Sequence, residues 1–397
     1  MFSHPTRTTL PSDGGGPPVR LQELDINVSN LCNLQCLHCS YASTPLRAEP
    51  TLPGDVIHRI LDEAAALGNK TVHWSGGEPV IRPDMPELIA HGASIGFSMR
   101  LLSNGILLTP EKLEQLWNHG LRKIFVSLDG LEENHDFHRA SRGLYAKTMR
   151  GIDNAVAAGL NVRVNAAATT RNVDEMPDLL ALMAERGVHI FSVFYLIPVG
   201  RGRDIVDLQV PPERWQRLVG ELRQATRALG PRRMEVAVEK VFWWDDEWNA
   251  EGLLDEGRGG GCLGFLKTCD YLNVLADGRV YPCVCFIDVA PPLGNVYERP
   301  LADLLHDPRG WTFYRSLTAL NDTCRRCPMV RPCGGGSRAN SRIRRDDWFA
   351  LDPRCSGDPV AQRFIPVCFM LREELSQKIY SGFEEATAGR DPAAPRE

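Results

Sequence analysis

The chain has 397 residues, of which 43% are apolar and 24% charged, the composition of a folded protein with a sizeable core. At about 150 residues per domain, this length predicts one large domain and a smaller one. There are 45 lysines and arginines against 50 acidic residues, a net charge of −5. This balance argues against nucleic acid as a partner, because phosphate binding needs a basic surface. No apolar stretch reaches the roughly 18 residues of a membrane span, so no membrane partner is expected.

The twelve cysteines are the unusual feature of the composition. No secretory signal is recognisable, so we expect a cytoplasmic chain in a reducing compartment, where cysteines bind metal or do chemistry rather than form disulfides. Three cysteines lie within residues 32–39, none within 40–261, and nine from Cys262 onwards. The distribution indicates a cysteine-free scaffold followed by a cysteine-rich module.

The scaffold alternates strand and helix patterns. Strands are predicted at 24–28, 71–74, 98–103, 122–128, 161–167, 189–196 and 234–238, and helices at 55–67, 110–119, 144–158, 173–187 and 211–229. Each parallel crossover needs a helix, so this alternation predicts an α/β fold, a partial (β/α)6 TIM-like barrel of about six units. Sites in such barrels lie at the C-terminal ends of strands. Cys32 and Gly76 each follow directly after a predicted strand.

Composition also suggests where the parts of the chain begin and end. We expect the barrel at 19–230, a glycine-rich linker or lid at 231–261, and the cysteine-rich module, with its iron–sulfur ligands, at 262–381. Residues 1–18 and 382–397 are rich in glycine, proline and charge, so we expect disordered tails there.

The first cysteine group has the spacing C-x3-C-x2-C, formed by Cys32, Cys36 and Cys39. Three thiolates on one short loop can hold three corners of a 4Fe–4S cluster and leave one iron open. Zinc is the alternative, but a structural zinc site needs four protein ligands and has no open position. His38 within the loop is poorly placed as the fourth ligand. Three buried free cysteines are the remaining interpretation.

This cysteine run resembles the cluster motif of the radical S-adenosylmethionine (radical SAM) enzymes. In that family the open iron binds the amino and carboxylate groups of S-adenosylmethionine (SAM). An electron from the cluster then cleaves the sulfonium and gives a 5′-deoxyadenosyl radical, which abstracts hydrogen from substrate. The resemblance implies a SAM-binding 4Fe–4S cluster, SAM, and a flavodoxin- or ferredoxin-type electron donor.

The segment Gly76-Gly77-Glu78-Pro79 is similar to the family loop that holds the methionine ammonium of SAM. Two glycines allow close backbone approach, and the glutamate supplies a carboxylate for a cation. Further SAM contacts implied by the resemblance are Ser103, Asn104, Ser127, Asn165 and Leu196. For the first three, ordinary turn chemistry at strand ends is the alternative.

The segment His135–Arg139 is similar to a family segment whose arginine pairs with the SAM carboxylate. That role passes to Arg139, with Arg142 as a substitute. A solvated surface arginine is the alternative interpretation.

The second cysteine group begins with a predicted hairpin turning at Asp277-Gly278. Gly278 follows Cys262 after fifteen residues, and Cys283 follows Gly278 after four. Taken alone, such a module could be a zinc ribbon. Beside the first motif, it resembles the SPASM domain of one radical SAM subgroup, which binds auxiliary iron–sulfur clusters.

The resemblance implies one or two auxiliary iron–sulfur clusters. The outer cluster takes Cys324, Cys327, Cys333 and Cys355, and the inner one takes Cys262, Cys269 and Cys283. Ser337 stands where the family has the fourth inner cysteine. Ser337, Cys285 or no residue could complete this cluster, which could be 4Fe–4S or 2Fe–2S. We interpret Cys368, in an apolar helical context, as a buried structural thiol.

These features predict a radical enzyme whose substrate enters the barrel mouth. Oxidation, epimerisation or crosslinking is expected, on a small-molecule natural product such as a sugar or aminoglycoside, or on a peptide. About twenty residues precede the first strand, too few for a folded peptide-recognition domain, which lowers the expectation of a peptide. Tetrapyrrole side-chain modification is an alternative. A zinc-stabilised, non-enzymatic scaffold is an alternative of another class. The catalytic acid or base is not assigned.

Overall fold

The structure is a computed structural model that describes residues 21–46, 49–229, 234–238, 241–243, 271–327, 330–355, 357 and 364–366. The expected tails and linker, together with Cys262, Cys269 and Cys368, lie wholly or mostly outside these ranges. Within them, no helix is both long and apolar enough to cross a membrane.

One large sheet organises the described residues. Its strands are β1 (Glu23–Asn27), β2 (Thr71–Ser75), β3 (Ser98–Ser103), β4 (Lys123–Ser127), β5 (Asn161–Ala168), β6 (Ile190–Tyr195), β7 (Glu235–Val238), β9 (Tyr271–Val274), β10 (Arg279–Tyr281) and β11 (Gly294–Asn295). The strands β1 to β7 lie side by side in chain order and are all parallel. Two further strands, β8 (Val241–Trp243) and β12 (Phe364–Pro366), form a separate antiparallel pair. The predicted α/β fold with a partial barrel is confirmed.

Helices connect the parallel strands. They are α1 (Gly54–Ala66), α2 (Met85–Ile95), α3 (Pro110–Asn118), α4 (Glu132–His138), α5 (Leu144–Ala157), α6 (Met176–Glu185) and α7 (Pro212–Leu229). In α1, Ile57, Ile60, Leu61 and Ala64 are buried at helical spacing. The connecting helices therefore bury an apolar stripe against one face of the sheet, as the sequence pattern predicts.

Two of these helices are missing from the sequence-based prediction. Helix α2 contains Gly92, which lowers helix propensity, yet a Cβ there would lie 2.7 Å from the sulfur of Met99 on β3. Tertiary packing against the neighbouring strand thus requires a small residue inside the helix. Helix α4 is seven residues long and has no apolar stripe that a periodicity search could find.

The predicted hairpin exists and extends the barrel sheet. Strands β9 and β10 are antiparallel, and β9 pairs in parallel with β1, so that Val274 lies beside Ile26. The cysteine-rich part of the chain is therefore joined to the barrel by sheet hydrogen bonds. Beyond it follow α8 (Leu301–His306), α9 (Pro308–Ser316), α10 (Asp322–Arg326), α11 (Val330–Cys333) and α12 (Arg338–Arg345).

The sheet face opposite the helices carries polar side chains. Asp25, His73 and Arg100 occupy one register row across β1, β2 and β3, and all three are buried. Arg100 Nη1 lies 3.3 Å from Glu23 Oε1 and 3.0 Å from His73 Nε2. Burial alone would raise the pKa of Glu23, but Arg100 and His73 lower it to about 2. The interior of the partial barrel is thus a charged, hydrogen-bonded surface.

Candidate radical SAM site

Cys32, Cys36 and Cys39 lie on one loop that follows β1 at its C-terminal end. Cys32 and Cys36 are buried and pack with Leu34 and Leu144, and Cys39 is half-buried beside them. Burial raises the pKa of the Cys32 thiol to about 12, with smaller contributions from the Glu78 carboxylate and the neighbouring thiols. The three sulfurs are thus gathered in a small, dry space at the end of the barrel where sites are expected.

Backbone bonds from distant segments fix this loop. The amide of Cys32 donates to Thr44 O over 2.8 Å, and that of Leu37 donates to His138 O over 2.9 Å. Arg201, after β6, donates from Nε to Cys36 O over 2.9 Å and from Nη2 to Ser43 O over 2.8 Å. The loop conformation is therefore held by α4 and by the segment beyond β6.

The glycine loop after β2 lies directly against the cysteine loop. The amides of Gly77 and Glu78 donate to the carbonyls of Ser29 and Leu31 over 2.6 Å and 3.0 Å. A Cβ on Gly77 would lie 2.0 Å from Leu31 O, and Gly76 has a φ of +131°. Both positions therefore require glycine, one for close approach and one for its backbone conformation.

Glu78 is buried beneath these glycines. Its Oε2 accepts the Asn104 amide over 2.7 Å, and its Oε1 accepts the Val80 amide over 3.3 Å. Burial raises the pKa of Glu78 to about 7 despite these bonds and a bond from Ser103. A carboxylate at this place would gain from a cation brought by a ligand.

Arg139 and Asp129 form a buried ion pair next to the cysteines. Arg139 Nη2 lies 2.6 Å from Asp129 Oδ2, and Arg139 Nη1 donates to Cys36 Sγ over 3.5 Å. His38 Nε2 also lies 3.3 Å from Asp129 Oδ2. Burial would raise the pKa of Asp129, but Arg139 and His38 hold it well below its usual range. Arg142, the predicted substitute for Arg139, is exposed.

The other predicted SAM contacts lie at the same end of the sheet. Ser127 ends β4 and is in register with Asn165 on β5. Asn165 Oδ1 accepts from Arg163 Nε over 2.9 Å, and buried Leu196 directly follows β6. Asn104 Nδ2 donates to Asn33 Oδ1 over 2.7 Å, which ties the segment after β3 to the cysteine loop.

The residues fit the cofactors implied by the motif. Arg139 Nε and His38 Nδ1 are buried without a hydrogen-bond partner in the described part of the chain, as expected for groups that face a ligand. Within the same ranges, no three histidine, cysteine or acidic side chains surround one point as ligands of a single metal ion. A 4Fe–4S cluster does not need that arrangement, since each cysteine binds a different iron.

Four cysteines come together in the C-terminal part. Cys324, Cys327, Cys333 and Cys355 are all half-buried. Burial raises the pKa of Cys333 to about 12, with further contributions from Asp352, Cys355 and Cys324. Burial likewise raises the pKa of Cys355, and the charges of Asp352, Cys324 and Cys327 add to this shift. The four cysteines predicted to bind the outer cluster therefore lie close enough together for their charges to interact.

Ser337 is buried and works as a helix cap. Its Oγ accepts the Asn340 amide at the start of α12, and its own amide donates to Asp352 Oδ2 over 2.6 Å. Cys283 and Cys285 are buried nearby in the core. Cys262 and Cys269 lie outside the described residues, so the inner ligand set remains a prediction.

Three residues that organise the site were not assigned a role from sequence. Asp129 follows the predicted contact Ser127 by two residues, and Arg201 follows Leu196 by five, but their partners His38 and Cys36 are far away in the chain. Asp352 lies between two cysteines of the outer set and pairs with buried Arg354 over 2.7 Å. A charged residue directly after a strand or within a glycine-rich turn is the signal that could have found the first two.

Two known protein families match parts of this chain. Residues 26–183 match the model of the radical SAM superfamily, and residues 262–328 match that of the SPASM iron–sulfur cluster-binding domain. An AdoMet-dependent heme synthase of Methanosarcina barkeri is 30% identical, over 82% of this chain and 93% of its own. A PqqA peptide cyclase of Streptomyces rochei is 27% identical, over 84% of this chain and 89% of its own.

Solved structures show the same fold. Streptococcus suis SuiB bound to S-adenosylmethionine has a TM-score of 0.69 at 20% identity, covering 85% of this chain and 78% of its own. The enzyme anSMEcpe with bound AdoMet has a TM-score of 0.67 at 19% identity, covering 85% and 95%. The relatives are enzymes, which sets aside the non-enzymatic zinc scaffold. The chain belongs to the radical SAM superfamily, as an enzyme with a SPASM domain whose cofactors are a SAM-binding 4Fe–4S cluster, SAM and auxiliary iron–sulfur clusters.

Proposed function

We propose that this enzyme reductively cleaves SAM and abstracts a hydrogen atom from a substrate held in the barrel mouth. The observation that carries the proposal is the meeting of Cys32, Cys36 and Cys39 with Glu78 and Arg139 at one end of the sheet. When bound, the cluster supplies the electron that cleaves the sulfonium of SAM to methionine and a 5′-deoxyadenosyl radical. The protein side chains bind, orient and exclude water.

The SAM-binding roles follow from the environment of each residue. Glu78 holds the methionine ammonium, because burial raises the pKa of this carboxylate more than the Arg139 charge lowers it, so that a cation on the ligand would stabilise its charged form. Arg139 holds the SAM carboxylate through Nε, which is buried without a hydrogen-bond partner among the described residues. The remainder of the SAM site is lined by Ser103, Asn104, Ser127, Asn165 and Leu196.

The auxiliary ligands are also part of the proposal. Cys324, Cys327, Cys333 and Cys355 hold the outer cluster, and Cys262, Cys269 and Cys283 contribute to an inner one. When bound, these centres would supply an acceptor for the electron that remains on substrate after hydrogen abstraction. A flavodoxin- or ferredoxin-type protein in a reducing cytoplasm supplies the electrons that start the reaction.

Two substrate classes are supported by different relatives. The 30% identity to AdoMet-dependent heme synthase favours a tetrapyrrole. The PqqA peptide cyclase relatives favour a peptide, with oxidation or crosslinking as the outcome. A small-molecule natural product, such as a sugar, is the third class.

The test is anaerobic reconstitution followed by chemical reduction in the presence of SAM. We expect iron and sulfide for at least two clusters and release of 5′-deoxyadenosine. A variant with Cys32, Cys36 and Cys39 all replaced by alanine should lose the nucleoside and the iron of one cluster, while keeping the auxiliary iron. The matched control replaces Cys324 and Cys327 and should keep SAM cleavage. Nucleoside release by the triple variant would refute the proposal.

The substrate classes are separated by mass spectrometry with two probes. Fe-coproporphyrin III, named in a second relative at 26% identity, tests the tetrapyrrole class. A pool of short synthetic peptides tests the peptide class. Consumption of one probe in step with 5′-deoxyadenosine release identifies the class, and release without consumption of either probe excludes both probes as substrates.

A further inference from the structure

We propose that Asp129 is a positioning residue that acts through Arg139 and sets the reduction potential of the SAM-binding cluster. Asp129 fixes the guanidinium so that one nitrogen donates to Cys36 Sγ. The inference rests on the proposed ligation of that cluster by Cys36. It assigns a function to a carboxylate that does not itself reach the cysteines.

Asp129 is held rigidly where β4 ends. Its Oδ1 accepts the Ala167 amide over 2.9 Å, and its own amide donates to His135 Nδ1 over 3.1 Å. Its carbonyl accepts from Asn172 Nδ2 over 2.7 Å. These bonds tie the residue to β5, to α4 and to the turn after β5. One carboxylate oxygen, Oδ2, is left to face the site.

That oxygen has two close ion-pair contacts on the cysteine side, neither of which has hydrogen-bond geometry. Arg139 Nη2 lies 2.6 Å away and His38 Nε2 lies 3.3 Å away. The other terminal nitrogen of Arg139 reaches Cys36 Sγ at 3.5 Å. Both residues of the pair are buried, so the guanidinium cannot turn to water for an alternative partner. Its direction is therefore set by Asp129.

A hydrogen bond from a cation to a ligating sulfur stabilises the reduced form of an iron–sulfur cluster, because reduction adds negative charge there. Arg139 in its observed orientation thus raises the reduction potential. Asp129 has two opposed effects: its charge alone lowers the potential, whereas its hold on Arg139 raises it. The sign of the change on removing the carboxylate decides which effect dominates.

The experiment is a redox titration of the reconstituted full-length enzyme, followed by electron paramagnetic resonance, on Asp129→Asn, Arg139→Gln and the double variant. Asparagine keeps an oxygen for the Ala167 amide but presents an NH2 group to Arg139. We expect both single variants to lower the potential of the SAM-binding cluster. The double variant should match Arg139→Gln, since the two residues act as one unit. Asp153→Asn, which breaks only an exposed pair with Arg186, should change nothing.

A rise in potential in Asp129→Asn, or additive shifts in the double variant, would overturn the inference and show a bare charge effect. If Asp129→Asn fails to take up iron, Asp129→Glu is measured in its place, because it keeps the charge but displaces it. A lowered cluster potential in Asp129→Glu supports a positioning role for Asp129. Unfolding of both Asp129 variants would overturn the inference in favour of a purely structural role. Failure of the proposed function is recognised separately. It fails if the reconstituted wild-type enzyme and the variant with Cys32, Cys36 and Cys39 replaced by alanine give the same paramagnetic resonance signals.

Discussion

At the residue scale, Glu78 combines a raised pKa with a proposed contact to a cation. Burial raises its pKa to about 7, so near neutral pH about half of the free enzyme carries a protonated Glu78. Binding of an ammonium group requires the carboxylate form and therefore displaces that proton. The affinity for SAM should thus fall as the pH decreases below 7, and the decrease should approach tenfold per pH unit. Above pH 7 the affinity should level off.

This pH dependence is measured as the dissociation constant of SAM between pH 5.5 and 8.5. Glu78→Gln is the control, because it cannot titrate but retains the shape of the side chain. We expect the variant to bind SAM more weakly at pH 8 and to show only the pH dependence of SAM itself. Equal pH profiles for the two proteins would contradict the assigned role of Glu78.

Gly77 gives a second prediction at this scale. In Gly77→Ala the new Cβ would lie 2.0 Å from a backbone oxygen of the cysteine loop, so the loop must move. We expect a loss of about 1–3 kcal/mol in the free energy of unfolding, as for overpacked cores, and loss of the iron of one cluster. The measurements are denaturant unfolding and iron analysis.

Gly96 provides the matched control for this substitution. Its φ is +92°, and a Cβ there would meet nothing within 4 Å. Gly96→Ala should therefore cost only the left-handed strain of about 1–2 kcal/mol and leave the iron content unchanged. Normal iron loading in Gly77→Ala would show that the two loops can separate without harm to the cluster.

At the scale of elements, the sequence predicted structures that depend on neighbouring residues. It missed a short helix and the contacts between residues far apart in the chain. The strands, the Asp277-Gly278 hairpin and the cysteine loop depend on neighbouring residues, and their patterns are visible in the chain. Helix α4 was missed because a short polar helix has no apolar period. The hold of Arg201 on Cys36 joins residues 165 positions apart, and no pattern within either segment encodes it.

Ser337 has a role in the structure that its position in the cysteine pattern does not indicate. The sequence identified it as a serine in a cysteine position, and the structure places it as the N-cap of α12. Ser337→Ala should therefore cost about 1 kcal/mol of stability, as a lost cap does, and leave the iron content unchanged. Unfolding by denaturant and iron analysis measure these two quantities.

Thr109→Ala is the control for that prediction. Thr109 caps α3 by accepting the Lys112 amide over 3.3 Å, on a helix without cysteines. Both variants should lose similar stability and no iron. If Ser337→Ala alone loses iron, Ser337 is a cluster ligand rather than only a cap.

At the scale of the whole molecule, several contacts join the cysteine-rich part to the barrel, among them Arg203 Nη2 to Asp288 O over 2.9 Å, and two of them involve β1 and α1. One is the parallel pairing of β9 with β1. The other is on α1, where Glu63 Oε2 accepts the Leu301 amide over 2.6 Å and Arg59 Nη2 donates to Val296 O over 2.8 Å. Glu63 thus caps the first turn of α8 from another part of the fold, where its charge also suits the helix dipole.

Glu63→Ala tests whether this contact holds the two parts in place. A lost hydrogen bond to a charged acceptor should cost about 1.5–3 kcal/mol locally. We expect faster amide hydrogen exchange in α8, with the amides of β4 and β5 unchanged, because the sheet remains paired. Asp62→Ala, on the same helix, removes an exposed pair with His91 and should leave α8 protected. Faster exchange spread evenly over the barrel would instead show that α1 and the sheet unfold as one unit, and that Glu63 stabilises the whole molecule.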